Sequence, residues 1–156
     1  MKLYHGSNVA IENIDLSRSK PNKDFGRAFY LSSDLSQAQE MAKAKCIQFG
    51  GTPCVTVFEV DEVQMQQLKY KVFDCYNHEW ARFVYNNRDE QQDFTHQYDI
   101  VYGPIANDNV GEQIRKFRSL RIPIEQFLEE LKYAKGVTFQ YAFCTQKSID
   151  TLKEIR

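Results

Sequence analysis

Segments with a period of two and segments with a period of 3.6 follow one another along this chain in no regular order, and that irregularity limits its fold more than any other feature. Strand patterns fall at Lys2–Tyr4, Ala28–Ser32, Val55–Val60, Asp99–Tyr102 and Val137–Cys144. They are rich in aromatic and β-branched residues, which suit a pleated, half-buried surface. Gly103-Pro104 is read as the stop of the fourth. Between them lie helical patterns. Asp34 offers an N-cap with Gln37 three residues on, and the helix it opens should run to about Gln48, where Gly50-Gly51 ends it. Trp80, Phe83 and Val84 form a buried-helix stripe. Ile124, Phe127, Leu128 and Leu131 form another, opened by Pro123 and closed by Gly136. A last helix is expected from Gln146 to the end. Ser17 to Lys23 and Arg88 to Gln97 read as loops. A doubly wound sheet needs strict βα alternation, so this order predicts an α+β fold. The 156 residues suit one domain, 1–156.

Several function classes drop out. No GxGxxG follows a strand and no Walker A loop is present, which argues against a Rossmann or P-loop nucleotide site. The net charge of −1 gives no global pull toward nucleic acid or anionic membrane. No stretch approaches the roughly 20 apolar residues of a spanning helix, and Met1 to Gly6 lacks the apolar core of a signal peptide. The expectation is a cytoplasmic protein that starts its fold at Lys2 and engages no membrane. Cys46, Cys54, Cys75 and Cys144 match neither a zinc pattern nor a disulfide framework, so reduced thiols and no metal are expected. Aromatic residues make up 13%, enough for a sheet-rich core or for a pocket with stacking faces.

Three places carry candidate chemistry. In Leu3-Tyr4-His5-Gly6-Ser7 an imidazole stands at a strand end beside a glycine, whose bare backbone a planar ligand can approach closely. In Ala28 to Ser32, alternation puts Phe29 and Leu31 on a core face and leaves Tyr30 among Ala28 and Ser32, a place for a stacking platform. In Thr138 to Cys144, Phe139, Tyr141 and Phe143 share a packing face. Gln140 lies with Ala142 and Cys144 on the other, an amide on an open pocket floor. Each has a plain alternative: a packing histidine, a half-exposed tyrosine and a solvent-facing glutamine.

Taken together, LYHGS, DFGRAFYLSSDLSQAQEMA, WARFVYNNR, YDIVYGPIAND and FQYAFCTQKSIDTL resemble the DUF3990 family of bacterial proteins, in the same order and over nearly the whole chain. The resemblance places the chain with the ADP-ribosyltransferases, in their diphtheria-toxin-like branch. It implies a split, mostly antiparallel sheet with NAD+ as substrate in the cleft. His5 would bond a ribose hydroxyl, Gly6 would hold the nicotinamide carboxamide through its backbone, and Tyr30 would stack on the ring. Gln140 would take the third position, usually a glutamate. The same motifs would bring Ser7, Asp24, Phe25 and Ser32 to the NAD+ pocket. Met41 would stand where many relatives close the ring with an aromatic. Arg88 would reach the pyrophosphate, and Asn107 and Asp108 would orient the acceptor. For Arg88 and Asp108 the plain alternatives are a helix C-terminal cation and an N-cap. The implied role is a bacterial toxin or defence effector that modifies a macromolecule, protein or nucleic acid, and has a neutralising partner protein.

Breaking the nicotinamide–ribose bond creates an oxocarbenium-like cation, and a carboxylate at the third position would stabilise it. Gln140 supplies a hydrogen bond without the charge and cannot act as a base, so transfer of single units is expected rather than chain extension. The alternatives are a non-catalytic NAD+ or nucleotide-binding module of the same fold, and a thiol enzyme pairing a cysteine with His78 or His96.

Overall fold

Strand β6 (Thr138–Phe143) is buried on both faces, Ala142 on one and Phe143 on the other, as befits the middle of a sheet. The computed structural model describes residues 1–91, 94–106, 114–117, 119, 122–131 and 137–155, and structural statements below concern these. Around β6 runs the order β2 (Phe29–Leu31), β6, β5 (Ile100–Ile105), β4 (Tyr70–Val72). Its pairs are antiparallel except β4 with β5. A second sheet has the order β1 (Lys2–Ser7), β3 (Cys54–Glu59), β7 (Lys153–Ile155), all antiparallel. Helices are α1 (Leu35–Phe49), α2 (Glu62–Gln66), α3 (His78–Arg88), α4 (Ile124–Leu131) and α5 (Gln146–Ile149). The chain is therefore α+β, with mixed sheets. No described helix is long and apolar enough to cross a membrane.

Two apolar clusters hold the sheets. Leu3, Leu31, Phe58, Ile100 and Phe143 fill the space between them. Phe25, Phe73, Trp80, Val84, Val101 and Phe127 pack α3 and α4 on the far face of the β6 sheet. There the Trp80 indole N–H finds the Pro104 carbonyl at 2.8 Å, which satisfies its buried donor.

The expected elements meet four corrections. Helix α5 is a single turn with a Thr145–Ser148 capping box, after which Lys153–Ile155 joins the free edge of β3; the expected helix to the end does not form. Strand β5 continues through Gly103-Pro104 to Ile105, because its pairing with β6 extends that far. Elements α2 and β4 were not expected at all. The Asp34 cap bonds the Ser36 amide, while Gln37 turns to the Ser32 hydroxyl instead of closing a capping box. Gly136 lies outside the described residues.

The two sheets meet at one backbone bridge, Tyr4 with Ser32, at 2.8 and 2.9 Å. In a continuous antiparallel ladder the next bonded pair would be Gly6 with Tyr30. No backbone bond joins those two. The Tyr30 carbonyl instead accepts from His5 Nδ1 at 2.7 Å, and the Gly6 carbonyl accepts from Lys45 Nζ at 2.9 Å. Two side chains thus replace the ladder where the sheets part. Helix α1 crosses β1 here so closely that a Cβ on Gly6 would stand 1.9 Å from the Ala38 carbonyl oxygen. Close approach of this helix requires glycine at position 6.

Candidate functional site

The parting of the sheets opens a cavity of about 760 Å³. It is lined by His5 and Gly6 from β1, Tyr30 from β2, Gln140 from β6, and a stripe of α1. The stripe holds Gln37, Met41, Ala44, Lys45 and Gln48, all on one helical face. His5 and Tyr30, 25 residues apart, and Gln140, more than a hundred residues further along the sequence, therefore border one space. Asp24, Ser32, Met41 and Arg88 border it too. Ser7 and Phe25 do not. Ser7 is buried and its hydroxyl takes the Val9 amide. Phe25 has no exposed surface and belongs to the core under α3, a place its apolar ring makes favourable and closes to any ligand. Asn107 and Asp108 lie outside the described residues.

His5 is held as a neutral ring. A carbonyl can only accept, so the bond to Tyr30 O places the proton on Nδ1 and makes Nε2 an acceptor. Burial, then the nearby charges of Lys45 and Lys23, pull the His5 pKa down to about 4, against which the bond to Tyr30 works only in part. Phe29 stacks on the ring at 4.2 Å and fixes its plane.

Tyr30 is less free than a bare stacking platform. Its hydroxyl donates to Gly26 O at 2.7 Å and accepts the Phe25 amide at 3.1 Å, and Lys23 Nζ sits 5.1 Å from the ring centroid. Burial pushes the phenol's pKa well up, so the group stays a neutral donor. Gln140 is 9% exposed, and its side-chain amide has no hydrogen-bond partner among the described residues. A buried amide without partners carries a desolvation penalty that a polar ligand would relieve.

Arg88 does not stand ready for a phosphate. Its Nε and a terminal nitrogen both bind Asp24 Oδ1, at 2.6 and 2.5 Å, and Asp24 Oδ2 takes the Ala106 amide at 2.7 Å. This bidentate, largely buried pair ties the end of α3 to the loop before β2 and to the end of β5. Among the described residues Lys20, Lys23 and Lys45 line the cavity without a salt bridge, and the sequence reading missed all three. The signal for Lys45 was present, since it follows Met41 by one helical turn and so shares its face. Lys23 stands in a loop, where no period marks it. Among the described residues the cavity is lined by five cationic side chains and two carboxylates, Asp15 and Asp24, although the whole chain carries a net charge of −1.

For Cys144 and His96 the thiol reading finds no support in the geometry. Burial, and next the charge of Asp99, push the Cys144 thiol up to about 12. Both nitrogens of His96 are occupied, by Phe25 O at 2.8 Å and by the Tyr98 amide at 3.1 Å. A thiol that holds its proton and a histidine with no free nitrogen are both packing groups.

Fold and site together define an α+β protein whose two small sheets part around a cationic, aromatic-lined cleft. The chain belongs to the family described as protein of unknown function (DUF3990), whose model matches residues 1–153. A sequence search finds no match among curated proteins.

Proposed function

We propose that the cleft binds NAD+ and that the protein is a mono-ADP-ribosyltransferase, with the split sheet serving as an ADP-ribosyltransferase fold. The observation that carries the reading is the convergence of His5, Tyr30 and Gln140 on one cavity at the point where the two sheets separate. Each group has chemistry suited to its part. The acceptor nitrogen of neutral His5 matches a ribose hydroxyl, the Tyr30 ring offers a face for nicotinamide, and the Gln140 amide, without a partner among the described residues, can bond the ribose. The positive lining suits the diphosphate of a dinucleotide.

In the reaction the nicotinamide–C1′ bond breaks and its electron pair leaves with nicotinamide. The acceptor's nucleophile bonds C1′ and gives up its proton to solvent or to a base of its own. Held reactants gain most of the rate here, since Gln140 brings no negative charge to the developing cation. One missing preorganised contact of this kind costs about 2.7–4 kcal/mol. Slow turnover and single-unit transfer to a macromolecule that is already a good nucleophile follow.

Non-catalytic NAD+ or nucleotide binding is the second reading, and one observation favours it: both carboxylates at the cavity are committed, Asp24 to Arg88 and Ala106, Asp15 to Ser17 and Arg18. Release of nicotinamide from NAD+, followed by NMR at saturation, separates the two. The transferase reading expects slow release that Gln140→Glu accelerates and Gln140→Ala slows. If all three proteins bind NAD+ and none releases nicotinamide, the binding module stands in its place.

A further inference from the structure

We infer that Lys23 and Lys45 form a two-armed clamp for the diphosphate of the cleft's ligand. The inference rests on the reading of the cleft as a dinucleotide site and assigns the anion-binding role to two residues of that site. Lys45 reaches in from α1 and Lys23 from the loop before β2, and both line the cavity that holds His5. Neither is in a salt bridge; those among the described residues join Arg18 to Asp15, Lys71 to Glu79 and Arg88 to Asp24. Lys45 spends one of its three N–H donors on Gly6 O, and Lys23 has its cation–π contact with Tyr30.

Their electrostatics point the same way. Burial lowers the pKa of both ammoniums; Lys20 lowers that of Lys23 further while Asp24 raises it in part, Lys23 lowers that of Lys45, and both depress His5. Two partly desolvated like charges within reach of one another make a site strained by repulsion until an anion enters. Of the other cations at the cavity, Arg88 is paired with Asp24, Arg18 with Asp15, and Lys20 is exposed. A second feature of the same cavity, the buried amide of Gln140 with no partner among the described residues, also calls for a polar ligand.

The position of Lys23 adds a coupling. It now sits against the Tyr30 ring, where a planar ring would stack. A stacking ligand must displace the ammonium, and a phosphate on that ligand gives it a new partner close by. Ring and diphosphate should therefore bind together or weakly.

Calorimetry tests this with NAD+, ADP-ribose, inorganic pyrophosphate and nicotinamide riboside, which keeps ring and ribose but has no phosphate. The proteins are the native chain, Lys23→Gln, Lys45→Gln and, as control, Lys43→Gln, an exposed lysine on α1 outside the cavity. Melting curves confirm folding of each. Each clamp variant should weaken ADP-ribose and NAD+ about tenfold or more, and Lys43→Gln less than twofold. Nicotinamide riboside should bind at least about a hundredfold more weakly than NAD+, be indifferent to Lys45→Gln, and not be weakened by Lys23→Gln, which removes the ammonium it must displace. Tight NAD+ binding that neither clamp substitution weakens overturns the clamp and leaves the dinucleotide reading standing. Lysine-dependent binding of pyrophosphate without binding of NAD+ upholds the clamp and removes that reading. Failure of every phosphorylated ligand to bind overturns both.

Discussion

His5 should make the protein sensitive to mild acid, to an extent that can be worked out. The ring sits between Phe29 and the Tyr30 carbonyl with Lys45 and Lys23 nearby, and its pKa falls from 6.5 to about 4. The folded state therefore binds fewer protons than the unfolded chain across that interval. Protonation favours unfolding, so the stabilisation is complete above pH 6.5 and is lost as pH falls toward 4. At 1.36 kcal/mol per unit, a fall from pH 7 to pH 4.5 should remove about 2.5 kcal/mol through this one residue. His5→Asn isolates the effect, since an amide can still donate to Tyr30 O but does not titrate. Urea unfolding of both proteins at the two pH values gives the difference, in which the contributions of the carboxylates and of His96 cancel. The native protein should lose about 2.5 kcal/mol more than the variant. Equal losses in the two proteins, or a His5 titration by NMR near 6.5, would refute the argument.

Three other perturbations have defined outcomes. Gly6→Ala forces a methyl to within 1.9 Å of the Ala38 carbonyl, between two backbones that cannot yield separately; a loss of about 3 kcal/mol in chemical denaturation is expected. Asp24→Asn strands the Arg88 guanidinium in a largely buried place and should cost about 3 kcal/mol, part of it recovered by adding Arg88→Gln; a loss under about 1 kcal/mol would mean the pair is already solvated. Lys45→Gln removes a charge that depresses His5, so the imidazole's NMR titration should move upward from about 4; no movement would place Lys45 out of electrostatic reach.

What the sequence could determine was whatever depends on near neighbours along the chain. The alternation of Gln140 and Ala142 against Phe139 and Phe143 is a property of the pleat, and it placed β6 and its two faces. The side-chain cap at Asp34 and the positive φ of 78° at Gly50 bound α1 by purely local bonds. Elements α2 and β4 span five and three residues, too short for a period to register. Tertiary structure decided the rest. Whether Lys153–Ile155 became helix or strand depended on the open edge of β3, nearly a hundred residues away. The reason for Gly6 lay in the path of α1, and the fate of Arg88 lay with Asp24. The cationic cavity depended on the sheets parting where His5 and Lys45 take over two ladder carbonyls. That exchange of a backbone bond for a side-chain bond joins groups from three separate elements, and only the folded chain brings their partial charges within three ångströms of one another.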